Sequence, residues 1–248
     1  KHGLNGTAQD MVHIENEVDP LSGLIIKSLY GKSKDSLVPG PALLKDIDNL
    51  VFDIQDIGSR YYTFIYTMAN CMTICKQTGT RMVVCDRPNP INGTSVEGNL
   101  VGENLRSFVG QYSLPNRHGM TVGELARLFN EHFGIHCDLT VVPMTGWSRE
   151  MWYDQTGVIW TPPSPNMPTL ATATVYPGMC LIEGTLLSEG RGTTLPFEQI
   201  GAPFIDPHKL VARLETDSHL LPGVFFRPQY FKPMFQKHAG EVCAGLQL

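Results

Sequence analysis

Two short apolar runs flank a helical segment, and that order constrains the fold more than anything else in the chain. Residues 49–55 (Asn-Leu-Val-Phe-Asp-Ile-Gln) and Arg81–Asp86 read as strands, the first of them buried on both faces. Between them, Phe64, Met68, Met72 and Cys75 recur at helical spacing over Thr63–Thr78, and Gly79 is placed to end that helix. Strand, helix and strand of these lengths imply a right-handed crossover in a parallel sheet. The pattern continues with a helix over Thr121–Phe133, where Thr121 and Glu124 form a capping box, and a strand over Asp138–Pro143. Upstream, residues 23–29 read as a strand and Pro41–Ile47 as a short helix with proline in its first turn.

The texture changes after Thr194. A helix over Asp206–Glu215, a strand over Gly223–Tyr230 and a weak alternation over Glu241–Leu248 read as a second lobe, so the expected division is 1–194 and 195–248. Thr169–Leu187 fits helix and strand equally. Net charge is −5 and no basic stripe is present, which speaks against a nucleic-acid partner. No apolar run approaches the length that spans a bilayer. The six cysteines lack zinc-site spacing and sit mostly in apolar runs, as buried free thiols do. Gly134 is placed to end the helix between His132 and His136, which makes that pair a poor metal site. The chain opens on Lys1 with neither methionine nor signal peptide, and reads as starting inside a longer protein.

Chemistry concentrates in three places. In an open parallel sheet, ligands bind beyond the carboxyl ends of the strands. Asp53, Asp56, Arg60, Tyr61 and Tyr62 follow the first strand; Asp86, Arg87 and Asn89 follow the second. Asp53 is equally read as half of an ion pair with Arg60 or Arg87. The loop over residues 87–120 is long enough to be functional, and it carries Arg117 and His118 just before a helix. The third place is Leu187-Ser-Glu-Gly-Arg-Gly-Thr-Thr194, where Glu189 can transfer a proton, Arg191 can grip an anion and Thr193 can bind a hydroxyl. It is expected to form another wall of the same pocket. There is no G-x-G-x-x-G after a strand, no phosphate loop and no nucleophile elbow. Carboxylates, arginines and the aromatics Tyr61, Tyr62, Trp147, Trp152 and Trp160 together suit a sugar.

Five segments in order carry a more specific signal: Val51–Thr63 (VFDIQDIGSRYYT), Asp86–Pro90 (DRPNP), Arg117–Glu124 (RHGMTVGE), Pro163–Pro168 (PSPNMP) and Glu183-Gly-Thr through Thr194. Together they resemble the NamZ-like exo-β-N-acetylmuramidases, a bacterial family formerly of unknown function. The resemblance covers essentially the whole chain. It implies an α/β fold with a Rossmann-like parallel-sheet lobe and a second, smaller α+β lobe. It also implies a glycosidase that removes terminal β-linked N-acetylmuramic acid from peptidoglycan fragments, usually in an exported protein, and it calls for no cofactor or metal.

On that reading Glu189, Asp56 and His118 are the catalytic candidates. Arg191, Arg117, Arg60, Tyr62, Asn89, Asn166, Thr193 and His2 are the substrate-binding ones. Because muramic acid carries a lactyl carboxylate, an arginine is expected to hold it, with Arg191 ahead of Arg117 and Arg60. Lys1 stands where the family usually has a glutamate, a leading candidate for the catalytic carboxylate. That feature favours the alternative, a non-catalytic sugar-binding module of the same fold. A nucleotide-using Rossmann-like enzyme is the third and weakest reading.

Overall fold

The computed structural model describes every residue except 1, 4, 10, 11, 13, 14, 30–36, 218 and 220, so Lys1 lies outside the described residues. The chain forms two compact units, Lys1–Leu170 and Ala171–Leu248. The expected break after Thr194 is not where they part. The reason is visible in the bonding of the 188–194 turn, whose partners are Gly201, Gln199 and Met234 in the second unit.

In the first unit, β1 (Glu17–Val18) and β2 (Ile25–Ile26) make a two-residue antiparallel pairing, so the strand expected over 23–29 shrinks to its two isoleucines. A 3-10 turn over Pro41–Leu44 stands where a short helix was expected, with Pro41 in its first turn. The main sheet is parallel, in the order β3 (Asn49–Phe52), β4 (Arg81–Cys85), β5 (Leu139–Val142). The register pairs Phe52 with Val84 and Val84 with Val141, so the three carboxyl ends lie level. β3 is not buried on both faces as expected: it is an edge strand and Val51 is 59% exposed. Asp53 lies past its end rather than within it, which spares the cost of a carboxylate inside a strand.

Helix α1 (Phe64–Thr78) joins β3 to β4 and ends at Gly79, which takes the left-handed conformation (φ 76°) that glycine adopts freely. The expected stripe of Met68, Met72 and Cys75 is buried, but so are Ile65, Tyr66, Thr67 and Ala69 on the other sides. The sheet accounts for one face. The 99–114 loop covers the other, with Phe108 beside Tyr66 and the Gln111 amide donating to Asn70 Oδ1. Helix α2 (Val122–Arg127) has the predicted capping box, Thr121 Oγ1 accepting from Glu124 N and Glu124 Oε2 from Thr121 N. It then widens into a π-helical stretch over Leu128–His132. Met68, Met72, Met82, Val84, Leu125 and Phe129 make the centre of this unit's core. Burying each such side chain contributes roughly 1.5–3 kcal/mol.

The second unit opens with α3 (Leu170–Met179), continued by a 3-10 turn over Cys180–Gly184; this settles the ambiguous segment as helical. Its sheet is antiparallel, ordered β6 (Gln199–Ala202), β8 (Cys243–Gln247), β7 (Arg227–Phe231), with α4 (Pro207–Thr216) packed on β7 and β8. β6 was not foreseen, because Gln-Ile-Gly-Ala has neither alternation nor β-branching beyond one isoleucine. Its Gly201 pairs with Gly245, and a Cβ on Gly245 would lie 1.9 Å from the Ile200 carbonyl. Among the described residues no helix is long and apolar enough to cross a membrane.

Asp86 ties β4 to α2: its carboxylate accepts from Gly123 N (2.7 Å), Arg87 N (3.0 Å) and Thr121 Oγ1 (3.1 Å). A Cβ on Gly123 would stand 2.7 Å from Val141 and 2.8 Å from the Asp86 carboxyl carbon. Gly123→Ala therefore sets an overpacking cost of about 1–3 kcal/mol against about 1 kcal/mol of helix propensity. The net expectation is a loss of about 1 kcal/mol in urea unfolding; a stabilised variant would show that this contact relaxes freely.

Candidate active site

Three loops meet beyond the carboxyl ends of the parallel strands. The first is Gln55–Arg60. Gly58 turns at φ 82°, and a Cβ there would lie 2.5 Å from Asn89 Oδ1, so the second loop, at Asn89–Ile91, sits directly on a glycine. Asn89 Oδ1 accepts from Ile91 N and its amide donates to Met120 O, which joins the third loop, at Arg117–Met120. Isolated bridges between Ser59 and Arg117 and between Glu97 and Arg117 close the arrangement. The expected proximity of Asp56, Asn89 and His118 thus follows from backbone packing around one glycine.

At its centre are Asp56 (4% exposed) and His118 (1% exposed). Asp56 Oδ2 accepts from Gly58 N at 2.8 Å and lies 3.3 Å from His118 Nε2. His118 Nδ1 accepts from Met120 N at 3.2 Å. A backbone N–H pointing at Nδ1 requires that nitrogen to be bare, so the ring proton sits on Nε2, on the side of Asp56. Asp56 Oδ1 makes no hydrogen bond within the described residues, and the same holds for Ser59 Oγ nearby in the chain. Burial pushes the Tyr66 phenol well up; Arg60 opposes that rise and Asp56 adds to it. Native interiors leave few polar groups unanswered. Two within three residues, on Asp56 and Ser59, mark a place that can receive a ligand or water.

The arginines expected to grip a carboxylate are committed elsewhere. Arg60 donates through Nη1 to Asn99 O and Leu114 O, both at 2.7 Å, and stacks on Tyr61. Arg117 pairs with Glu97 at 2.7 Å, donates to Ile91 O and lies over Trp152. Both clamp the long loop. Of the remaining expected residues in this unit, Asn166 donates to Gln9 Oε1, His2 Nδ1 contacts Ala8 O at 2.7 Å, and Tyr62 packs edge-on against Phe64.

Beside these loops a cleft of about 380 Å³ opens at the strand ends, within the usual size of small-molecule sites. Its lining includes Asp53 after β3, Asp86 and Arg87 after β4, and Met144 after β5, with Trp147, Tyr153 and Gln155 opposite in sequence. Asp53 is paired with Arg87 (2.7 Å), the second of the two expected alternatives.

In the second unit the 188–194 turn is held by its own charges. Glu189 is 2% exposed. Its carboxylate meets Lys237 Nζ at 3.1 Å and Arg191 Nη1 at 3.8 Å, and Arg191 Nη2 pairs with Glu183 at 2.8 Å. Gly190 and Gly192 both sit at φ 80°. Thr193 Oγ1 donates to Gly190 O and accepts from Leu195 N and Gln199 Nε2. Lys237 was not foreseen. Its ammonium also donates to the carbonyls of Ile182, Glu183 and Leu187, and no local sequence pattern announces a lysine nearly fifty positions from the turn it holds.

A family profile described as "Exo-beta-N-acetylmuramidase NamZ, N-terminal" matches residues 1–171, and its C-terminal counterpart matches residues 174–248. The chain belongs to the NamZ family. It is 50% identical, over all 248 residues, to the peptidoglycan beta-N-acetylmuramidase NamZ of Bacillus subtilis, and spans 59% of that protein's length. Two solved structures of DUF1343 family proteins from Bacteroides fragilis share the fold. One is 41% identical with a TM-score of 0.86, the other 32% identical with a TM-score of 0.75; each match covers 93% of this chain and 59% of the other. The junction of the two NamZ profiles, between 171 and 174, falls where the two compact units part.

Removing Lys237 would leave the buried Glu189 carboxylate facing only a distant arginine. Lys237→Met is expected to cost about 3 kcal/mol of stability, the size seen when one partner of a buried pair is lost. Chemical denaturation measures it, and a cost below about 0.5 kcal/mol would show the turn to be held by its backbone alone.

Proposed function

We propose that this protein is a glycoside hydrolase releasing terminal β-linked N-acetylmuramic acid from peptidoglycan fragments. The observation that carries the reading is the 50% identity, unbroken across the chain, to a protein named for that reaction. Export goes with it as part of the proposal, since peptidoglycan lies outside the cytoplasmic membrane.

The geometry supports Asp56 as the carboxylate that serves the reaction. Its Oδ2 is fixed by a backbone N–H and faced by the Nε2–H side of His118, while Oδ1 has no partner among the described residues. Leaving a charged oxygen unanswered in a buried place is costly. A substrate hydroxyl, an acetamido N–H or an attacking water answers it. Glycosidases use such a carboxylate to stabilise an oxocarbenium-like transition state or to activate water. In this arrangement His118 is a positioning residue: both ring nitrogens are turned inward, one to Met120 N–H and the other towards Asp56. Glu189, tied to Lys237 and Arg191, acts as the counter-ion of its turn rather than as the acid.

Asp56→Asn is expected to lower turnover of a chromogenic β-N-acetylmuramide about 100-fold or more, with near-wild-type circular dichroism and melting temperature. Near-normal turnover in that variant would remove Asp56 from the chemistry. Binding of the sugar by the wild type with no release above background would favour the sugar-binding module instead.

A further inference from the structure

We infer that Arg87 is the carboxylate anchor of the cleft at the carboxyl edge of β3, β4 and β5, with Asp53 steadying its Nε and the two Nη atoms left to hold the ligand's carboxylate. This deepens the reading of a muramic-acid substrate and rests on it.

The arginines differ in how their guanidinium groups are used. Arg60 spends Nη1 on two carbonyls, Arg117 uses both Nη atoms on Glu97 and Ile91, and Arg191 uses both on Glu189 and Glu183. Arg149 is engaged with Gly93 O, Gly119 O and Glu124. Arg87 is different. Its only side-chain bond to a described residue runs from Nε to Asp53 Oδ1, and neither Nη atom has a partner there. Two parallel donors are left at the tip of the fork, the pattern that holds a carboxylate end-on.

The surroundings say which anion fits. Arg87 follows β4 directly and lines the cleft, with its side chain 34% exposed. Its backbone N–H donates to Asp86, and Asp86 is itself held by Thr121 and Gly123, so the stem of Arg87 is fixed by the strand–helix junction. Asp53 and Asp86 put two negative charges beside one guanidinium, which opposes a phosphate dianion more than a single carboxylate. Asp53 Oδ2 has no partner among the described residues and can accept from a sugar hydroxyl. Gln155 spends its Oε1 on Trp152 N and keeps its amide donors for an acceptor on the ligand. Trp147 and Tyr153 supply aromatic surface for a ring. A hexosamine bearing a single carboxylate matches this set. One bearing none does not use Arg87.

Calorimetric titration of the protein with N-acetylmuramic acid and with N-acetylglucosamine tests this, because the two sugars differ by the lactyl group alone. The wild type is expected to prefer the muramic acid. Arg87→Ala is expected to weaken muramic-acid binding about 10- to 100-fold, the effect of losing charge-assisted hydrogen bonds, and to leave N-acetylglucosamine binding unchanged. Arg87→Lys keeps the charge without the fork and should retain only part of the preference. Asp53→Asn, which removes one negative charge beside the fork and keeps an oxygen that can accept from Nε, should bind the muramic acid at least as tightly as wild type. If the wild type prefers muramic acid and Arg87→Ala and Arg87→Lys keep that preference, or lose both sugars alike, Arg87 is not the anchor and the substrate reading stands. If the wild type binds neither sugar, both fall.

Discussion

The level carboxyl ends of three parallel strands govern everything else in the first unit. Because Phe52, Val84 and Val141 are in register, the residues that follow each strand reach one edge together. Asp53, Asp86, Arg87 and Met144 line one cleft for that reason, and the loops at 55–60, 89–91 and 117–120 can pack on Gly58. A shift of β4 against its neighbours would separate Arg87 from Asp53 and Asp86 from the amino end of α2. The polar groups at this edge are therefore a consequence of sheet register before they are a matter of chemistry.

Much of that edge is legible in the sequence. Val51–Thr63, Asp86–Pro90 and Arg117–Glu124 announce strand ends followed by polar residues, and the capping box at Thr121 fixes where α2 begins. What the sequence conceals is commitment. Arg60, Arg117 and Arg191 read as candidates to grip a substrate carboxylate, yet Arg60 bonds the Leu114 carbonyl, and Arg117 and Arg191 pair with Glu97 and Glu183. Burial of β3 was overread because an apolar run looks alike at the edge and in the middle of a sheet. The division of the chain was placed late because the turn at 188–194 resembles a wall of the first unit's pocket, while its bonds run to β6 and to Lys237.

A shared logic separates holding from binding in both units. Arg60, Arg117, Lys237 and Glu189 spend their charged ends on protein groups and hold loops in place. Among the described residues, Asp56 Oδ1 and the Nη atoms of Arg87 are left open, one buried and the other in a cleft, on successive loops of the same edge. An acid oxygen and a guanidinium fork at one sheet edge suit a sugar that has both hydroxyls and a carboxylate.

The central claim, that the sugar is received at the carboxyl edge of the parallel sheet, is tested most directly by a crystal structure of the protein soaked with N-acetylmuramic acid. The account predicts the pyranose in the cleft between Asp53 and Trp147, with its lactyl carboxylate on the two Nη atoms of Arg87. A sugar bound away from that edge would contradict it.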